Sequence, residues 1–110
     1  MAPTVWYHVR DLDAARRFYR ETLDFEEIGV DFSERWSLLK SGAMEIGLAE
    51  GEPREDGGVA HVDVRDLKAE ADRLRAAGVD VGIVFELQGE MRLLDVYDPD
   101  GNRVQLAQEL

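Results

Sequence analysis

The sequence predicts an α+β fold of two tandem βαβββ modules whose strands form a concave mixed sheet with a cleft. Two internal echoes and one alternation carry that expectation. Val9-Arg10-Asp11-Leu12 recurs fifty-five positions on as Val64-Arg65-Asp66-Leu67, each time where a β-rich stretch gives way to a helical one. Ile46-Gly47-Leu48-Ala49-Glu50 is echoed by Val104-Gln105-Leu106-Ala107-Gln108, fifty-eight positions on. The difference in spacing implies about three extra residues in the second half, and the Asp98-Pro99-Asp100-Gly101-Asn102 turn is where they are expected. The third observation is that the strands alternate between an apolar set and a mixed one.

The elements follow in order. Thr4 to Val9 is β-rich, and Asp11 or Asp13 can cap a helix running to about Thr22, because Leu12, Ala15, Phe18, Tyr19 and Leu23 recur at spacings of three and four. Phe25 to Val30, Trp36 to Lys40 and Met44 to Ala49 read as three strands, separated by Asp31 to Arg35 and by Ser41-Gly42. Residues 51–58, Gly-Glu-Pro-Arg-Glu-Asp-Gly-Gly, have no apolar side chain beyond proline and read as a linker. The unit then restarts: Val59 to Val64 as a strand, Leu67 to Ala77 as a helix closed by Gly78, then strands over Val81 to Glu86, Met91 to Tyr97 and Arg103 to Gln108. One domain is expected over residues 1–110, with modules at 1–50 and 59–110.

Composition narrows the function classes. The 110 residues are 45% hydrophobic and 34% charged, a globular balance, and no apolar run approaches the roughly 20 residues of a membrane span. A chain this size buries about two-thirds of its unfolded surface, leaving no room for a second domain. The start, Met1-Ala2-Pro3-Thr4, lacks a secretory pattern and there is no cysteine for a disulfide, so a cytoplasmic location is expected. Twenty-four acidic residues against thirteen basic ones give a net charge of -11, which disfavours nucleic acid and anionic membranes as partners and suits cations.

Strand parity divides the side chains. Val5, Tyr7, Val9, Met44, Ile46, Leu48, Ala60, Val62, Val64, Val104 and Leu106 form the apolar set, expected beneath the helices. The other set holds Thr4, Trp6, His8 and Arg10, then Glu45 and Gly47, then Val59, His61 and Asp63, then Arg103, Gln105 and Ala107. A sheet face of aromatic, ionisable and amide groups is what a small-molecule cleft requires, and an ordinary solvated face is the bland alternative. Trp6, His8, Trp36, Glu45, His61, Asp63, Arg103 and Gln105 are the candidate ligand-binding residues. Catalytic constellations are thin: no cysteine, no G-x-S-x-G elbow and no phosphate-binding glycine loop. His61 with Asp63 or Glu45 is the one acid/base pairing on a shared face.

At this point the residues resemble the vicinal oxygen chelate superfamily, which includes glyoxalase I, extradiol dioxygenases, methylmalonyl-CoA epimerase, fosfomycin-modifying enzymes and the bleomycin-resistance binding proteins. The resemblance spans the whole chain. It rests on Val9-Arg10-Asp11-Leu12 with the following Ala14 to Leu23, on Val64-Arg65-Asp66-Leu67 with Arg73 to Gly78, and on Asp98 to Leu106. Metal-using relatives place one ligand early in the first strand and one in the last strand of each module. That pattern implies ligand positions at Thr4 and Val59, where His is usual, and at Gly47 and Gln105, where Glu is usual. None of the four is an imidazole or a carboxylate, and only Gln105 offers an oxygen to a divalent ion. A displaced site through His8 and His61 is disfavoured: at roughly 3.3 Å per residue they lie about 13 and about 7 Å along their strands from the usual centre.

The resemblance therefore implies a metal-independent protein of the bleomycin-resistance type, without cofactor, that sequesters a small aromatic or cationic compound. The alternative is a divalent-metal-dependent lyase, isomerase or extradiol-type dioxygenase with a non-standard site. A homodimer is expected, with the cleft built either within one chain or between two.

Overall fold

The computed structural model describes residues 4–53 and 58–110. The central part of the expected linker, 54–57, lies outside the described residues. The first module runs β1 (Thr4–Val9), α1 (Leu12–Arg17), β2 (Glu26–Asp31), β3 (Trp36–Ser41) and β4 (Met44–Glu50). The second runs β5 (Ala60–Asp63), α2 (Leu67–Ala76), β6 (Asp80–Val81), β7 (Phe85–Leu87), β8 (Met91–Tyr97) and β9 (Arg103–Glu109). The strands form two sheets, ordered β1-β4-β3-β2 and β5-β9-β8-β6 with β7 also on β8. In each, the first strand of the module pairs parallel with the last and the other pairs are antiparallel. This is the mixed α+β architecture the sequence predicts, in two copies.

The repeat extends to individual bonds. Asp11 caps α1 by accepting from the Ala14 N–H at 3.1 Å, and Asp66 caps α2 by accepting from the Ala69 N–H at 3.1 Å. The closing echo supplies a second cap to each helix. A Glu50 carboxylate oxygen accepts from the Leu12 N–H at 3.1 Å, and the Gln108 side-chain oxygen accepts from the Leu67 N–H at 2.9 Å. Helix α2 ends at Ala77, and Gly78 follows with φ 81°, a left-handed conformation that favours glycine. Helix α1 reaches Thr22 as expected, but its last turn, Phe18–Thr22, widens to π geometry with the Leu23 N–H bonded to the Phe18 carbonyl at 3.2 Å. Tyr19 on that turn is buried against Tyr7, Phe18 and Phe25.

Two expectations change. The strand expected over Val81 to Glu86 is broken into β6 and β7. Four steps from Val81 to Phe85 oppose three from Val96 to Leu93, so the extra residue interrupts the ladder and Ile83 is left 83% exposed. The first module carries the same irregularity, four steps from Glu27 to Asp31 against three from Leu39 to Trp36, without losing its strand. The extra length of the second half is also relocated. Matching the registers pairs Asp31 with Phe85 and Trp36 with Leu93, so the β7–β8 hairpin holds three more residues than the β2–β3 turn. Leu38 and Gly47 match Asp95 and Gln105, which leaves the Asp98–Asn102 turn only one residue longer than its counterpart.

Both modules share one core. Tyr7, Val9, Leu12, Ile46 and Leu48 join Ala60, Leu67, Leu74, Leu94, Val96, Val104 and Leu106 in one buried cluster. Polar bonds cross the seam. The Tyr7 hydroxyl donates to the Arg103 carbonyl and accepts from the Ala60 N–H at 2.8 Å. The Tyr19 hydroxyl donates to buried Asp98 at 2.9 Å, and the Asn102 amide donates to the His8 carbonyl at 3.0 Å. Arg73 donates to the Thr22 carbonyl at 2.8 Å.

Candidate functional site

Burial separates most of the two sets, but Val5, Met44 and Val64 of the apolar set are only half-buried and Gly47 and Ala107 of the mixed set are buried. Tyr7, Val9, Ile46, Leu48, Ala60, Val62, Val104 and Leu106 are buried on the inward side. The outward side of the first sheet carries Trp6, His8, Glu45 and Gly47, with Leu38 opposite Gly47 and Trp36 opposite Ala49. That of the second carries Val59, His61 and Asp63 beside Arg103, Gln105 and Ala107, with Asp95 opposite Gln105. Trp6, Trp36, His8 and Glu45 thus share one sheet, and His61, Asp63, Arg103 and Gln105 the other.

In the first sheet the row Trp6–Gly47–Leu38 is fixed by the β1–β4 and β4–β3 registers. The indole lies over the glycine: a Cβ built on Gly47 would stand 2.6 Å from Trp6 Cζ3 and closer still to Cε3 and Cδ2. Trp6 remains 42% exposed while Gly47 is buried, so one side of the ring covers the strand and the rest is open to solvent. Trp36 only touches Gly29, where an added Cβ would meet its Cζ3 at 3.8 Å, an ordinary van der Waals contact. His8 is half-buried and its Nδ1 is buried without a hydrogen-bond partner.

In the second sheet the positions matching Trp6 and Gly47 are His61 and Gln105, and here both side chains fit. His61 Nδ1 lies 3.1 Å from Gln105 Oε1, within hydrogen-bond distance, and its Nε2 lies 4.0 Å from Asp63 Oδ1. Arg103 Nη1 lies 3.6 Å from Asp95 Oδ2, and Asp95 Oδ1 is buried with no partner. The sequence reading omitted Asp95 and Leu38. Alternation along β8 and β3 places both in these rows, but only once the register is known.

The four positions of the metal pattern carry no imidazole and no carboxylate. Thr4 and Val59 sit in or beside the first strands, Gly47 is covered by the indole, and Gln105 is engaged by His61. Among the described residues no three His, Asp or Glu side chains gather as a group able to hold a metal ion. His8 lies on the first sheet and His61 on the second.

Cavities lie where the modules meet. One of about 280 Å³ brings His61 and Asp63 against Ser41, Gly42, Ala43 and Met44. Another of about 420 Å³ is lined by Val59 and Arg103 with Tyr7, Pro53 and residues 100–102. Neither contains Trp6, Trp36 or Glu45, so these two cavities do not unite the two sets. Beyond the outward faces, burial raises the Asp98 carboxyl above its ordinary range, partly offset by its bonds to Asn102, Tyr19 and Asp100. Burial likewise pushes the Tyr7 phenol up to about 12.

The sequence model described as the Glyoxalase/Bleomycin resistance protein/Dioxygenase superfamily matches residues 3–106. None of the curated proteins compared matches the chain. Among solved structures, an integron cassette protein from the mobile metagenome of the Halifax Harbour sewage outfall superimposes with a TM-score of 0.84 at 22% identity, covering 98% of this chain and 97% of that one. The fosfomycin resistance protein FosX from Listeria monocytogenes, complexed with Mn(II) and sulfate, gives 0.81 at 19% identity, covering 100% and 90%. A bleomycin resistance determinant encoded on the transposon Tn5 gives 0.77 at 18% identity, covering 99% and 98%. These likenesses are likenesses of fold.

Proposed function

The chain belongs to the glyoxalase/bleomycin resistance protein/dioxygenase superfamily, and from that premise we propose that it is a metal-independent binding protein that sequesters a small aromatic or cationic compound. The observation that carries this reading is the indole of Trp6 lying over Gly47, at a position where metal-using relatives place a carboxylate. An exposed ring held by the sheet is a stacking surface for a flat or cationic group. Glu45 on the same face and the net charge of -11 favour a cation. On the other sheet, His61, Gln105, Arg103 and Asp63 offer donors and acceptors that would orient the compound's polar groups.

The complement of the aromatic face in this reading is a second copy of this chain. The two sets of candidate residues lie on separate sheets, and a homodimer would let the first sheet of one copy face the second sheet of the other. Trp6, Val59, Ile83, Phe85 and Leu87 are apolar and exposed in the isolated chain, as an uncovered interface would leave them. The protein would act in the cytoplasm, without nucleic-acid or membrane partners; no helix among the described residues is long and apolar enough to cross a membrane.

The deciding experiment is metal analysis of untagged protein combined with thermal melts before and after EDTA. No stoichiometric metal and an unchanged melt support the binding reading. About one transition metal per chain, removed with loss of stability, overturns it in favour of a metal-dependent lyase, isomerase or dioxygenase.

A further inference from the structure

Glycine inside a strand weakens it and leaves nothing to pack, so its presence at the centre of β4 needs a reason. Backbone conformation does not supply one, because Gly47 is not among the residues with positive φ and any side chain could adopt its geometry. Volume does. The parallel register places Trp6 beside Gly47, and three indole carbons stand where a Cβ would be. The second module is an internal control. At the matching positions the smaller ring of His61 stands beside a full side chain, Gln105, and bonds to it at 3.1 Å.

We infer that Trp6 and Gly47 act as one unit: the glycine is the seat of the indole, and the seated indole closes position 47 to every side chain, a metal-ligating carboxylate included. The family's metal centre is thus barred in this chain by volume as well as by ligand chemistry. A Glu at position 47 therefore requires the Trp6 ring to leave its seat. Gly47 becomes a positioning residue, acting through Trp6. The inference rests on the same Trp6–Gly47 contact as the function proposed above, but its test reads the seating of the ring and needs neither ligand nor metal, so its failure is told apart from a failure of that reading.

The chain has two tryptophans, so Trp36→Phe leaves Trp6 as the sole indole. In that background Gly47→Ala is expected to unseat the ring, shifting its emission to the red and raising its quenching by acrylamide. The melt should fall by about 4 °C or more, the scale of an overpacked site in a chain this small. Combined with Trp6→Ala, the same Gly47→Ala change should cost nothing further. Unchanged emission and quenching in Gly47→Ala overturn the inference, whatever the melt does. So does a double variant that melts below Trp6→Ala by the full margin. If Gly47→Ala alone does not fold, recovery of folding in the double variant supports the pairing and its absence overturns it.

Discussion

Asp98 receives hydrogen bonds from four donors: the Tyr19 hydroxyl, the Asn102 amide, and the backbone N–H groups of Asp100 and Asn102. It is 4% exposed. Removing the acceptor strands those buried donors, so Asp98→Ala should cost about 3 kcal/mol in urea unfolding, and Tyr19→Phe about 1 kcal/mol. Glu27 works differently. Its carboxylate takes two hydrogen bonds from Arg16, at 2.7 and 2.8 Å, and one from buried Ser37 at 2.6 Å. The Arg16 bonds, and after them the Ser37 bond, hold the Glu27 carboxyl below its ordinary range. A lowered folded-state pKa contributes stability that is fully present above the unfolded value, about 4.3, and is lost as pH falls through the folded one. Arg16→Met should therefore destabilise by about 2 kcal/mol at neutral pH and flatten the acid limb of the stability profile below about pH 4. An acid limb as steep as in the parent would remove this pair as its source.

At the level of elements, each helix is held at its start by two caps from different parts of its module. Asp66→Ala should cost about 1 kcal/mol, and Gln108→Ala, which frees the Leu67 N–H, a comparable amount, both read by chemical denaturation. The two caps serve different N–H groups of one helix, so a double-mutant cycle should show whether the costs add. These caps explain why the sequence was readable here. The repeated Asp-Leu and the Glu50/Gln108 ends of the two echoes are the same bonds written twice, and repetition made them visible. What could not be read was length. Most of the extra residues sit in the β7–β8 hairpin rather than the proline turn, and only the register, which pairs Phe85 with Leu93 where the first module pairs Asp31 with Trp36, reveals it. The break between β6 and β7 was hidden for a related reason: the apolar run through Ile83 and Val84 reads as strand, while the ladder opposite is one residue short.

For the whole molecule, the alternation of buried and open positions was legible because a two-residue period needs no knowledge of partners. The relation of Trp6 to Gly47 was not, since it depends on which strand lies beside β1 and in what register. Light scattering on the purified protein is expected to give twice the 12.4 kDa mass of the chain, and a mass of one chain would remove the second copy from the proposed cleft. The bonds across the seam carry one more consequence. Tyr7 to Ala60, Tyr19 to Asp98, Asn102 to His8 and Arg73 to Thr22 each join a residue before 50 to one after 58, above a core drawn from both sides. Covalent continuity is then only one of several ties between the halves, and a chain nicked by a protease between Pro53 and Gly58 should still migrate as a single particle under native conditions, coming apart only in denaturant.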